Sequence, residues 1–272
     1  MEPDARPAST EVSDDTPIWK YMDLPKFFAT LYKRKLWFAK ASTFHDDPWE
    51  GFGSAKCLKD SPEETWPTTP GETHEVSWQS LMAHFSQRSA HQINNARSFL
   101  YINSWCWGPE SMAMWEIYGS HASGVALKSS VGQYKRAAKW GVESSYYDFA
   151  PVTYHPNLEL VKDLQLDFRG ATPVPGLGTR RTTLKLGRHK RECFQYEQEW
   201  RALLCQDEER EEAGIDVVFD LDDLISEICV GPRADVFLVE TVKSIMDTFK
   251  LTKPCKRSDL LGPPRREEAP TG

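Results

Sequence analysis

The stretch Cys193-Phe194-Gln195-Tyr196-Glu197-Gln198-Glu199-Trp200-Arg201-Ala202-Leu203-Leu204 constrains the chain most, because it interleaves acids and an arginine with large rings. In a strand, successive side chains point to opposite faces. Glu197, Glu199 and Arg201 would then share one face, with Phe194, Tyr196, Trp200, Ala202 and Leu204 on the other. That is a polar site on an apolar floor. In a helix, Glu197 and Arg201 would instead sit one turn apart as a surface ion pair worth about 0.2–0.5 kcal/mol. Ring content and alternation favour the strand. A buried ion-pair network that only fixes the strand is the bland reading of the same residues.

A chain of 272 residues with 40% hydrophobic and 12% aromatic content can bury a substantial core, and ten tryptophans can fill it or form platforms for planar ligands. The net charge of −7 argues against a protein that grips nucleic acid with its whole surface. Six cysteines, Cys57, Cys106, Cys193, Cys205, Cys229 and Cys255, form no C-x-x-C pair, so a reducing, cytoplasmic setting is expected and no metal site. His189 and Cys193 have helical spacing but no second pair to complete a metal set. No run approaches the ~18 apolar residues of a membrane span.

Residues 1–16 are polar and acidic, a disordered lead-in by composition, and the Pro-rich, charged residues 254–272 form a second tail. A single α+β domain is expected over 17–253, with a variable insertion at 57–98. Ile18–Met22 reads as a strand. Asp23 caps a helix whose Leu24, Phe27, Phe28 and Leu31 share a face, and Lys35–Lys40 is a second strand. Phe44–Gly51 is a turn with three carboxylates, Asp46, Asp47 and Glu50, which order their own loop or hold a hard cation. Phe99–Trp107 is a strongly β-prone run, and Glu110–Tyr118 is a helix with Met112, Trp115 and Tyr118 on one side and Gly119 as its terminator. Val76–Leu100 reads as helical, and 151–155, 216–219 and 225–230 as short strands before a helix over 234–249. Arg180, Arg181, Lys185, Arg188, His189, Lys190 and Arg191 form a basic cluster: a solvated helix face, or a phosphate site beside Glu197 and Glu199.

Trp19-Lys20-Tyr21, Phe44-x-Asp46-Asp47-Pro48-Trp49-Glu50, Met114-Trp115-x-x-Tyr118 and Tyr196-Glu197-x-Glu199-Trp200-Arg201, in this order, resemble the bacterial family called domain of unknown function 2971. More distantly, the opening strand–helix–strand and the late glutamate strand resemble ADP-ribosyltransferases. Lys20 stands where those enzymes often carry His or Arg. That resemblance implies an ADP-ribosyltransferase-like fold with a curved or split mixed β-sheet flanked by helices. It also implies NAD as substrate, and Glu199 in the place of the catalytic glutamate. Glu197-x-Glu199 is similar to the paired glutamates of enzymes that modify arginine.

Breaking the nicotinamide–ribose bond builds positive charge on the sugar, which a nearby carboxylate stabilises in a dry pocket. On this reading Glu199 orients the ribose, Glu197 polarises the acceptor and Arg201 completes the catalytic set. Tyr21, Trp115 or Tyr118 stacks on the nicotinamide, Lys20 or Lys190 meets a phosphate, and Ser104 bonds the carboxamide. The acceptor is a protein, RNA or DNA, and a bacterial defence or toxin system is the expected setting. Two readings compete: a Mg-dependent nuclease or phosphodiesterase built on Asp46, Asp47, Glu50 and Glu199, and a non-catalytic sensor or interaction domain.

Overall fold

The structure, a computed structural model, describes residues 12–44, 47, 96–120, 122–140, 146–156 and 177–262. Most of the expected 57–98 insertion, the Val76–Leu100 helix up to residue 95, and Asp46 and Glu50 lie outside them. The chain divides into two compact units. One is built from residues 1–36, 105–140 and 217–272, the other from 37–104 and 141–216. No helix among the described residues is long and apolar enough to cross a membrane.

The first unit is organised on β1 (Pro17–Asp23), which pairs antiparallel with β4 (Gly124–Ser130) along its whole length, from Pro17 opposite Ser130 to Asp23 opposite Gly124. Its other edge takes the end of β3 (Leu100–Trp107), with Ile18 opposite Trp107. β10 (Glu227–Val230) adds antiparallel to β4, and β11 (Cys255–Arg257) adds parallel to β10, so the sheet is mixed. The expected strand–helix–strand opening is present: β1, α1 (Leu24–Lys33) and β2 (Lys35–Lys40) follow one another. The Asp23 carboxylate accepts the Lys26 N–H at 2.8 Å, which starts α1, and left-handed Arg34 (φ 52°) ends it.

Side-chain caps start the other helices of this unit too. Ser111 caps α2 (Met112–Tyr118), Ser130 caps α3 (Val131–Ala137), Asp220 caps α5 (Leu221–Leu224) and Asp235 caps α6 (Val236–Thr248). α4 (Leu177–Leu186) belongs to the second unit. The rings fill the core edge to face: Trp105 on Tyr134 at 5.5 Å, and Tyr134 on Phe219 at 5.0 Å.

In the second unit β8 (Glu199–Cys205) is buried along its whole length, because it pairs with β3 on one side and with β5 (Tyr146–Pro151) on the other. Its register on β5 runs from Pro151 opposite Trp200 to Tyr146 opposite Cys205. β2 adds antiparallel to β3, with Ala39 opposite Ile102, and β9 (Gly214–Val218) pairs with β2. A separate two-stranded parallel ladder joins β6 (Thr153–His155) to β7 (His189–Arg191). Ala41, Leu100, Ile102, Leu184, Leu203 and Cys205 pack together behind β8.

Candidate functional site

The expectation of one strand over 193–204 holds only from Glu199 onward. Glu192–Glu197 forms a 3₁₀ turn, and Gln198 (φ 42°, ψ 57°) takes the left-handed conformation that swings the chain into β8. A non-glycine residue in that region costs about 1–2 kcal/mol, so neighbouring contacts must hold it. The kink alters how the two acids meet. Glu197 approaches from the turn and Glu199 from the strand, and they converge on one ammonium group.

That group is Lys190 on β7. Its Nζ donates to Glu199 Oε1 at 2.7 Å and also to Glu197 Oε2. Arg201, two residues along β8, donates from Nε to Glu199 Oε2 at 2.6 Å and from a terminal nitrogen to the Gly187 carbonyl at 2.9 Å. A side chain at 187 would bring a Cβ within 2.7 Å of Leu203, so glycine lets that carbonyl approach β8. Glu197 is 3% exposed, Glu199 5% and Arg201 0%. Charged groups this deep persist only when paired and hydrogen-bonded. Each of the four is.

The environment pushes the two carboxylates in opposite directions. Burial, then the hydrogen bond and the charge of Glu199, push Glu197 up from 4.5 to about 7 against the pull of Lys190. Burial also works to raise Glu199. Arg201, the bond to Glu197 and Lys190 outweigh it and hold Glu199 well below the usual carboxylate range. At neutral pH the site therefore holds one fixed anion and one acid near its midpoint.

The β6–β7 ladder supports this pair. The Glu199 N–H donates to the Tyr154 hydroxyl at 2.9 Å, and the Val152 N–H donates to the Glu199 carbonyl at 2.8 Å. His155 Nε2 lies 2.8 Å from His189 Nδ1, so one ring donates to the other. Burial, then His155, Arg188 and Arg201, lower His189 from 6.5 to about 4.

The basic cluster is largely neutralised by acids. Arg180 pairs with Asp207 and lies 4.3 Å from the centre of the Tyr146 ring. Arg188 pairs with Asp148, and Arg191 with Asp47 at 2.9 Å. These three cations meet the protein's own carboxylates, while Lys185 is exposed. Asp47, taken from the sequence as part of an acidic turn, is 2% exposed and reaches Arg191. Among the described residues no three His, Cys, Asp or Glu side chains group as metal ligands would.

The sequence-derived candidates divide between the units. Glu197, Glu199, Arg201 and Lys190 come together in the second, which also contains Ser104. Lys20, Tyr21, Trp115 and Tyr118 belong to the first. There Tyr21 and Trp115 are buried and meet edge to face at 5.0 Å, and Tyr118 is 43% exposed. The Tyr21 hydroxyl accepts the Ser111 N–H at 2.9 Å, while Trp115 donates to Glu110 at 2.7 Å. Tyr154 was absent from the sequence-derived set. A lone tyrosine in a short strand carries no sign of the backbone N–H it will meet.

No protein-family model matches this sequence, and no curated protein does. Among solved structures the chain is similar to Thermus sp. 2.9 DarT in complex with NAD+, at 12% identity over 91% of this chain and 97% of that one, with a TM-score of 0.37. The DarT complex with ADP-ribosylated ssDNA matches at 12% identity over 92% and 96%, TM-score 0.37. The carba-NAD+ complex matches at 14% over 90% and 96%, TM-score 0.35.

Proposed function

We propose that Lys190, Glu197, Glu199 and Arg201 form the acid–base centre of an enzyme that cleaves NAD and transfers its ADP-ribose to an acceptor. The observation that carries this reading is geometric: two buried carboxylates separated by one residue converge on the Lys190 ammonium, and their surroundings push them in opposite directions. Two titratable groups whose surroundings push them apart are the usual basis for assigning an acid–base pair. In the reaction the nicotinamide–ribose C–N bond breaks and its electron pair leaves with nicotinamide. Glu199, kept ionised by Arg201 and Lys190, offsets the charge that develops on the ribose. Glu197, poised near neutrality, takes the proton that the acceptor loses as it bonds to the ribose. The choice of NAD rests on the resemblance of the opening strand–helix–strand and the late glutamate strand to ADP-ribosyltransferases.

A second reading is favoured by one observation: every charge in the cluster is met from within it, at 0–6% exposure. On that reading the four residues fix β7 against β8 and do no chemistry. Nicotinamide release from NAD separates the two. Glu199→Gln is expected to abolish release per folded molecule, with a melting temperature lower by roughly 6–12 °C because it leaves two buried cations on a neutral amide. A large melting loss with full activity per folded molecule, or no release by the parent chain, leaves only the architectural role. Thermal-shift titration with NAD, ADP-ribose and Mg²⁺ tests the ligand class directly; a response to Mg²⁺ alone would favour the nuclease alternative.

A further inference from the structure

Glu199 begins β8 directly after the left-handed Gln198, so its backbone N–H emerges at a kink. The hydroxyl of Tyr154 meets that N–H at 2.9 Å, and one residue pair of the parallel ladder explains how. Tyr154 on β6 is the register partner of Lys190 on β7. A single rung thus delivers the phenol to the Glu199 backbone and the ammonium group to its carboxylate. The Glu199 carbonyl is taken by the Val152 N–H at 2.8 Å, also from the β6 side. Both backbone polar groups of this one residue are therefore clamped by residues 152–154.

We infer that Tyr154 is a positioning residue: by accepting the N–H that follows the strained Gln198, it keeps the Glu199 carboxylate on Lys190 and beside Glu197. This rests on reading the acid pair as the functional centre, but it concerns only how the pair is held. The left-handed residue would otherwise relax toward ordinary backbone and carry Glu199 away from its partners. A buried N–H without an acceptor would be costly as well. The phenol is a durable acceptor, since burial and then the Glu199 charge hold it protonated well above its ordinary range. Its own hydrogen does not compete for the lone pair that Glu199 uses.

The test is Tyr154→Phe, which keeps the ring and removes the oxygen, read by carbon-detected NMR titration of the glutamate carboxylates. The midpoint of Glu197 is expected to fall by about one pH unit or more as the Glu199 charge moves away. Adding Gln198→Gly removes the strain and is expected to return the midpoint to its parent value, because glycine occupies the left-handed region freely. Unchanged titrations in Tyr154→Phe, with only a lower melting temperature, would reduce the phenol to packing and overturn the inference. So would a double variant that folds with the midpoint still displaced, or failure of both variants to fold. None of these readouts needs turnover, so absence of NAD cleavage would defeat the proposed function and leave this inference standing.

Discussion

Glu197 and His189 titrate in the same pH window with opposite consequences for stability, and this makes a sharp prediction. His189 is lowered from 6.5 to about 4 in the fold. The stability linked to its neutral ring is fully present above about 6.5 and is lost as pH falls through about 4. Glu197 is raised from 4.5 to about 7. Its contribution is fully present below about 4.5 and is lost as pH rises through about 7. At about 1.4 kcal/mol per pH unit each group is worth about 3 kcal/mol across the window. The signs oppose, so the two nearly cancel in the parent chain. Glu199 stays ionised throughout, held below the window by Arg201 and Lys190 against burial. Urea unfolding midpoints measured from pH 7.5 to 4.5 should therefore vary little for this pair in the parent protein. In Glu197→Gln, stability should fall by a few kcal/mol on acidification, because only His189 remains. In His189→Asn it should rise on acidification, because only Glu197 remains. Variants whose slopes match the parent, or that change with the reverse signs, would refute the assignment of protons in this cluster.

Replacing Lys190 by methionine removes the cation shared by both acids, and breaking a buried pair costs about 3–5 kcal/mol. Glu197 can relieve part of that by binding a proton, so a loss near the lower figure is expected, with a melting temperature lower by roughly 6–12 °C. Calorimetry checks it, and Glu197→Gln added to the variant should recover part of the loss. Lys250, left-handed at φ 57° after α6 and exposed, should accept glycine with a gain of up to about 1 kcal/mol, read from chemical denaturation.

Much of the architecture was legible because local chemistry declares it. The apolar and aromatic runs at Ile18–Met22 and Leu36–Ala39 become β1 and β2, and Asp23 caps the helix between them. The expected strands at 225–230 and 216–219 and the helix over 234–249 appear within a few residues of their sequence bounds. The meeting of Glu199 with Arg201 was legible too, since residues two apart on a strand share a face. The kink at Gln198 was not, because nothing about glutamine announces a left-handed residue; tertiary contacts impose it. The acid partners of the basic run were not legible for a related reason. Sequence shows seven charged or titratable side chains in twelve residues, but not that Asp47, Asp148 and Asp207 arrive from elsewhere to meet three of them.

Arg188, Lys190 and Arg191 grip acids 40, up to 9 and 144 positions away along the chain. A ribosome adds about 5–20 residues per second, so Asp47 is made roughly 7 to 29 seconds before its arginine. Until then a carboxylate destined for 2% exposure has no Arg191 to pair with. The acid pair itself is complete only once Arg201 has been added. The nascent chain therefore cannot close this centre before Arg201 is in place.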